Sequence, residues 1–355
     1  MAAQGHGAPA PDEPAGARGA AGRTPAKRLY GIQYLRAVAA LGVVAVHATD
    51  RLPILGLGVS LFFLLSGFLM VAITDESSRP GPFLRDRLLR IVPVYWVVTA
   101  AMVAVQLTGL LWHGLLSKTH IAASLLFIPA VYPGDGRMLP LVAQGWTLNY
   151  EMLFYTLFAS TLLLPRRWQI WVLSGLICAL TAAGFLFHPQ GAALYTWSHP
   201  ISLLFLAGAW IGVAWQQGRR LWPLLVAAIA LTFLFGAAMP VHRHFGILTG
   251  CCLLVALLAA VLMLERRGEG VRPFRLPLLL GDASYSIYLW QSFPLMVTEA
   301  LARRFGLPPA LEAALFVSAA VVGGVAAYFL IERPLLRLAG RVRRYRHGAP
   351  IPAGP

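Results

Sequence analysis

Arg36 and His47 stand eleven residues apart in the apolar stretch YLRAVAALGVVAVHATD. On an α-helix eleven steps close three turns with about 20° left over, so the two side chains share a face, about 16 Å apart along the axis. An ionisable side chain costs about 2.5–3.5 kcal/mol to insert at the centre of a membrane helix, so each needs a chemical reason. Snorkelling to opposite interfaces is one such reason, and it suits the long arginine better than the short histidine. A second stretch, GWTLNYEMLFY, places Glu151 about one and a half turns beyond Trp146, at roughly the depth of His47. A carboxylate that accepts a hydrogen bond from one imidazole nitrogen leaves the other free as a general base. His47 oriented by Glu151 is the expected catalytic pair. The structural alternative is two buried polar groups that neutralise each other.

A third stretch, FLRDRLLRIVPVYW, carries Arg87 and Arg90 as i,i+3 neighbours on one helix face. Two guanidiniums there suit bidentate grip of phosphate oxygens. Ordinary anchoring of a helix end by positive charge is the alternative. GLGVSLFFLLSGFLM offers Gly56, Gly58 and Gly67 for close helix approach, together with Ser66, a nucleophile with no base beside it by spacing. In GDASYSIYLWQSFP the polar run from Asp282 through Tyr285 and Tyr288 to Gln291 is expected to face the bundle interior or a cavity. Ser66, Tyr285 and Gln291 are the expected polar groups of a substrate cavity. His242 and His244 lack a third ligand at suggestive spacing, so no metal is expected. No glycine-rich phosphate loop is present.

The elements that must hold these groups are membrane helices. Of 355 residues, 58% are apolar and 12% charged, against about 45–50% and 25% in soluble domains. The net charge of +15 does not signal nucleic acid, because the basic residues fall in short clusters between apolar runs. Ten runs of membrane-crossing length are expected near 31–49, 54–74, 88–112, 146–164, 168–187, 197–216, 221–239, 245–264, 276–299 and 311–331. The run 121–131 is too short to cross and reads as a surface or re-entrant segment. With ten spans the lysines and arginines divide 22 to 6 between alternate sides, Arg36 lying inside the first span. That asymmetry puts both termini in the cytoplasm. The expected fold is an all-α, polytopic integral membrane bundle of about ten helices. Residues 1–28 read as a disordered cytoplasmic tail, 29–335 as the transmembrane domain and 336–355 as a basic cytoplasmic tail. Cys178, Cys251 and Cys252 lie in apolar runs and read as small buried hydrophobes.

Taken in order, LRAVAALGVVAVH, GVSLFFLLSGFLM, RDRLLRIVPVYW, GWTLNYEMLFY, LGDASYSIYLW and IERP resemble the bacterial inner-membrane acyltransferase family three. That family includes O-acetyltransferases of O-antigen, Nod factors and exopolysaccharides, and the resemblance covers residues 30–335. It implies ten spans, and transfer of an acyl group, usually acetyl, from cytoplasmic acyl-CoA to a sugar hydroxyl at the outer face. His47 matches the family's first-span histidine and Arg36 its paired basic residue. Arg87 and Arg90 match the third-span arginine pair, and Glu151 the acid of the Trp-x-Leu-x-x-Glu segment. Gln291 stands where members often have histidine, which removes proton transfer at that position. No fused hydrolase-like domain is expected.

The resemblance implies acyl-CoA as a donor substrate with no permanently bound cofactor, and a glycan or lipid-linked saccharide as acceptor. A succinyl in place of an acetyl donor is a secondary alternative, and oligomeric state is not legible. The main rival is an exporter or flippase of a glycan, which needs the same polar cavity but no phosphate clamp.

Overall fold

A computed structural model describes residues 28–49, 57–109, 116–238, 244–267 and 270–346. The expected N-terminal tail and His242 lie outside these residues. Among them every regular element is helical. Helix α1 is Tyr30–Ala48, α2 Leu57–Ala72, α3 Pro80–Thr108, α4 Lys118–Leu125, α5 Trp146–Thr161 and α6 Arg166–Phe187. Then follow α7 Ala192–Trp197, α8 Leu203–Gln216, α9 Trp222–Ala238, α10 His244–Arg266, α11 Arg275–Asp282, α12 Ser284–Trp290, α13 Ser292–Phe305 and α14 Pro309–Ala327. A π-helical turn, Tyr328–Glu332, joins α14 to α15, Arg333–Arg346.

Six stretches are long and apolar enough to cross a membrane: α1, α3, α6, Ala192–Gln216, Gly246–Arg266 and Pro309–Gly340. Helices α2 and α9 are shorter and apolar. The chain is thus an all-α membrane bundle. Its outer surface is apolar, with Trp171, Leu186, Phe187 and Phe233 all exposed. Cys178 is exposed on that surface rather than buried, because lipid, unlike water, does not penalise an apolar side chain that faces outward.

Helix α2 lies at the centre, between α1, α5 and α8. At its tightest contact a Cβ added to Gly67 would meet Phe205 O of α8 at 1.9 Å, and one on Gly208 would meet Leu64 O at 2.0 Å. Small residues here let two backbones touch, the usual basis of helix association in membranes. Phe63 of α2, Phe205 of α8 and Phe154 of α5 stack with centroids 4.4 and 4.6 Å apart. The start of α1 is fixed by a buried carboxylate, Glu265 Oε1, which accepts from Gly31 N at 2.5 Å.

Two expectations change here. The ninth run, 276–299, is not one helix but three, with breaks at Ala283 and Gln291. The second break has a covalent cause: Pro294 has no N–H to donate to the carbonyl of Trp290. The sixth run, 197–216, is likewise broken before α8 by a 3₁₀ turn at Pro200–Ser202. The short run 121–131 holds only the one-and-a-half-turn continuation of α4, docked on α3 by the Trp96 indole donating to Leu125 O at 3.0 Å.

Candidate active site

Arg36, Arg87, Arg90, Ser66, Glu151 and Tyr285 converge on one cavity of about 250 Å³ between α1, α2, α3, α5 and α12. Three of these helices supply charge. Helix α1 presents Arg36, whose Nε and Nη2 donate to Ser284 Oγ at 3.2 and 3.1 Å. Helix α3 presents Arg87 and Arg90 one turn apart, and the Arg87 Nε is buried without a partner among the described residues. Helix α5 presents Glu151. Burying guanidiniums is costly unless an anion balances them, and here three stand against Glu151 on the cavity wall and the buried Glu332 near Arg36 and Arg90. The balance is positive by one charge.

Glu151 is not paired with His47. Its Oε1 accepts from Ser66 Oγ at 2.7 Å and from Tyr155 Oη at 2.9 Å. The expected pair rested on equal depth of two helices. Tertiary packing instead sets Glu151 level with Ser66 of α2 and Tyr155 of its own next turn. Ser66 accordingly does have a carboxylate beside it, which spacing along the chain could not reveal.

His47 lines a second, larger cavity of about 740 Å³, together with Gln144, Trp146, Ser292, Glu299 and Arg303. Its Nδ1 lies 2.7 Å from Val43 O. A carbonyl only accepts, so Nδ1 carries the proton, and Nε2 of the neutral ring is left with a free lone pair. The partner of this ring nitrogen is thus a backbone carbonyl one turn back, not Glu151. At the cavity rim Asp135 and Arg137 form an exposed pair at 2.5 Å, and the guanidinium holds the Asp135 carboxyl below the usual carboxylate range.

Tyr285 lines the first cavity, its hydroxyl donating to Ile91 O at 2.9 Å. Gln291 does not line either cavity. It is fully buried, and its Nε2 donates to Tyr288 O at 2.9 Å. The break after α12 turns this side chain back onto its own helix.

Tyr288, read in the sequence only as one member of a polar run, lines both cavities. One residue escaped the sequence reading. Glu332, 1% exposed, accepts from Ser286 Oγ at 2.6 Å and lies within electrostatic reach of Arg36 and Arg90. It sits on the π-helical turn, a local distortion common at functional sites. Its signal was an acid at the end of an apolar run, FLIERP, masked by the adjoining Arg333.

The profile of a family described as an acyltransferase domain matches residues 29–331. The chain is 45% identical over 296 residues to the exopolysaccharide production protein ExoZ of Rhizobium meliloti (strain 1021), covering 82% of this chain and 92% of that protein. It is 27% identical over 379 residues to the acyltransferase MdmB of Streptomyces mycarofaciens, covering 92% of this chain and 96% of that protein. Over 145 residues, 36% of this chain and 38% of the relative, it is 30% identical to nodulation protein 10 of Rhizobium leguminosarum bv. viciae. No solved structure matches the chain significantly.

Proposed function

The chain belongs to this acyltransferase family, and from that premise we propose that it moves an acyl group, acetyl in the first instance, from cytoplasmic acyl-CoA to a hydroxyl of a glycan at the outer face of the bacterial inner membrane. The observation that carries the reading is that the arginine cavity and the histidine cavity adjoin, both lined by Val59 and Tyr288, which sets a donor site next to a base. Arg36, Arg87 and Arg90 hold the phosphates of the donor, where guanidiniums give planar, bidentate contacts. The pantetheine arm extends past Ser66 and Glu151 toward the shared wall.

His47 Nε2 then accepts the proton of the acceptor hydroxyl as its oxygen attacks the thioester carbon. The tetrahedral intermediate collapses, the carbon–sulfur bond breaks, and the imidazolium returns its proton to the departing thiolate. A saccharide is the favoured acceptor because a relative that matches most of this chain is named for exopolysaccharide production, and because the histidine cavity combines Trp146 with the polar Gln144, Ser292 and Glu299.

The test is mass spectrometry of surface glycans from cells with and without the protein. A loss of one acyl mass per repeat on deletion supports the reading. Unmodified mass with glycan retained inside the cell points to export instead.

A further inference from the structure

The wall between the two cavities falls at one level of the bundle, and separate helices agree on where. Along α1 the lining passes from Arg36 in the first cavity to His47 in the second, and along α5 from Glu151 to Trp146. Tyr288 stands between Tyr285, on the arginine side, and Ser292, on the histidine side. It is held from several directions. Its hydroxyl donates to Gln144 O at 2.9 Å and lies 3.0 Å from Thr147 Oγ1. Phe62 packs on the ring with centroids 5.9 Å apart. The Tyr288 backbone carbonyl accepts from the buried Gln291. With its proton committed to a backbone carbonyl, this phenol acts by shape and position.

We propose that the wall is an acyl-binding subsite, in which Val59, Phe62 and the pinned ring of Tyr288 form a shallow apolar seat for a short acyl tail. The inference rests on the acyl-CoA reading above. The donor's phosphates are held on one side of the wall and the base stands on the other, so the thioester must lie at the wall when it reacts. Its carbonyl carbon faces His47, and its tail lies against Tyr288. A ring fixed at its hydroxyl and its face does not retract, so each added methylene must displace packed atoms. A misfit of one methylene in an apolar pocket changes kcat/KM by roughly 10–200-fold. Tyr288 thus selects short acyl groups over long ones.

The experiment measures kcat/KM for acetyl-, propionyl-, butyryl- and hexanoyl-CoA with the full-length protein in membranes. Wild type, Tyr288→Phe, Tyr288→Ala and Val59→Ala are compared. The proposal expects the acetyl-to-butyryl preference to fall at least tenfold in Tyr288→Ala and Val59→Ala. Tyr288→Phe should keep most of it, because the ring remains. Should Tyr288→Ala not fold by size-exclusion profile, Val59→Ala carries the test alone. An active truncation variant with the wild-type ratio overturns the subsite. A wild-type protein that uses no acyl-CoA at all overturns the donor reading and the subsite with it, whereas transfer with an unshifted ratio removes the subsite only.

Discussion

Ser66 Oγ of α2 donates to Glu151 Oε1 of α5 at 2.7 Å, closing the wall of the arginine cavity. A hydrogen bond to a carboxylate contributes about 1.5–3 kcal/mol, and removing its acceptor strands the donor. Ser66→Ala should therefore lower stability by about that amount. In a Glu151→Ala background the same change should cost much less, because the bond is already gone. Denaturant titration of the four proteins in detergent gives the coupling. Additive losses would mean that the two side chains do not interact.

His47 is expected to be required for turnover and dispensable for donor binding. General-base catalysis contributes typically 10²–10⁴-fold, so His47→Ala should slow transfer by about that factor. His47→Gln, which cannot accept and return a proton, should be nearly as slow. Donor affinity should persist in both, since Arg36 lies about 16 Å away along α1. Wild-type turnover in His47→Gln would make the histidine structural.

Arg87 and Arg90 should act in the opposite sense. Replacing both by Ala should weaken acyl-CoA binding strongly, read by isothermal titration, while expression and size-exclusion profile persist. Unchanged affinity would leave them as anchors of the helix end.

His120 of α4 supplies a pH dependence away from the site. It is 4% exposed and packs edge-on against Tyr132, and burial pushes its pKa below the ordinary histidine value. The unfolded segment takes up a proton near pH 6.5, about the ordinary value, and the folded one only at lower pH. Between those two values the unfolded state holds more protons, so stability falls as pH drops through that window and is unaffected above it. Corrected for the base-catalysed intrinsic rate, the protection of amides against hydrogen exchange over residues 118–141 should be lower at about pH 5.5 than at about pH 7.5. His120→Phe should abolish the difference; a persistent difference would assign it to another group.

The 22-to-6 division of lysine and arginine predicts a cytoplasmic C-terminus. Reporter fusions at residue 345 should read as cytoplasmic and at residue 135 as outer. An outer signal at 345 would reverse the direction of transfer proposed above.

The membrane bundle was legible in the chain because apolar length and charge spacing act locally. A run of some 20 apolar residues folds as a helix in lipid whatever its neighbours do, since its backbone must satisfy its own hydrogen bonds. Arg36, Arg87, Arg90 and Glu151 were legible for a related reason. A charge inside such a run is expensive and needs a partner, which singled out Arg36 and Glu151. Arg87 and Arg90, at a helix end, also read as anchors, and the structure gathers all four on one cavity.

What each charge touches was not legible. Periodicity gives the face and rough depth of a residue on its own helix, but not how far that helix is shifted or turned against the next. A shift of one turn exchanges one partner for another. The close approach of α2 to α8 at Gly67 and Gly208 helps set the position of α2, and thereby of Ser66. Ser66, not His47, meets Glu151, while His47 turns to the carbonyl of Val43. The sequence determined which groups had to be held away from lipid. Only the packing of backbone against backbone, a sum of many contacts between residues distant in the chain, decided which of them would meet.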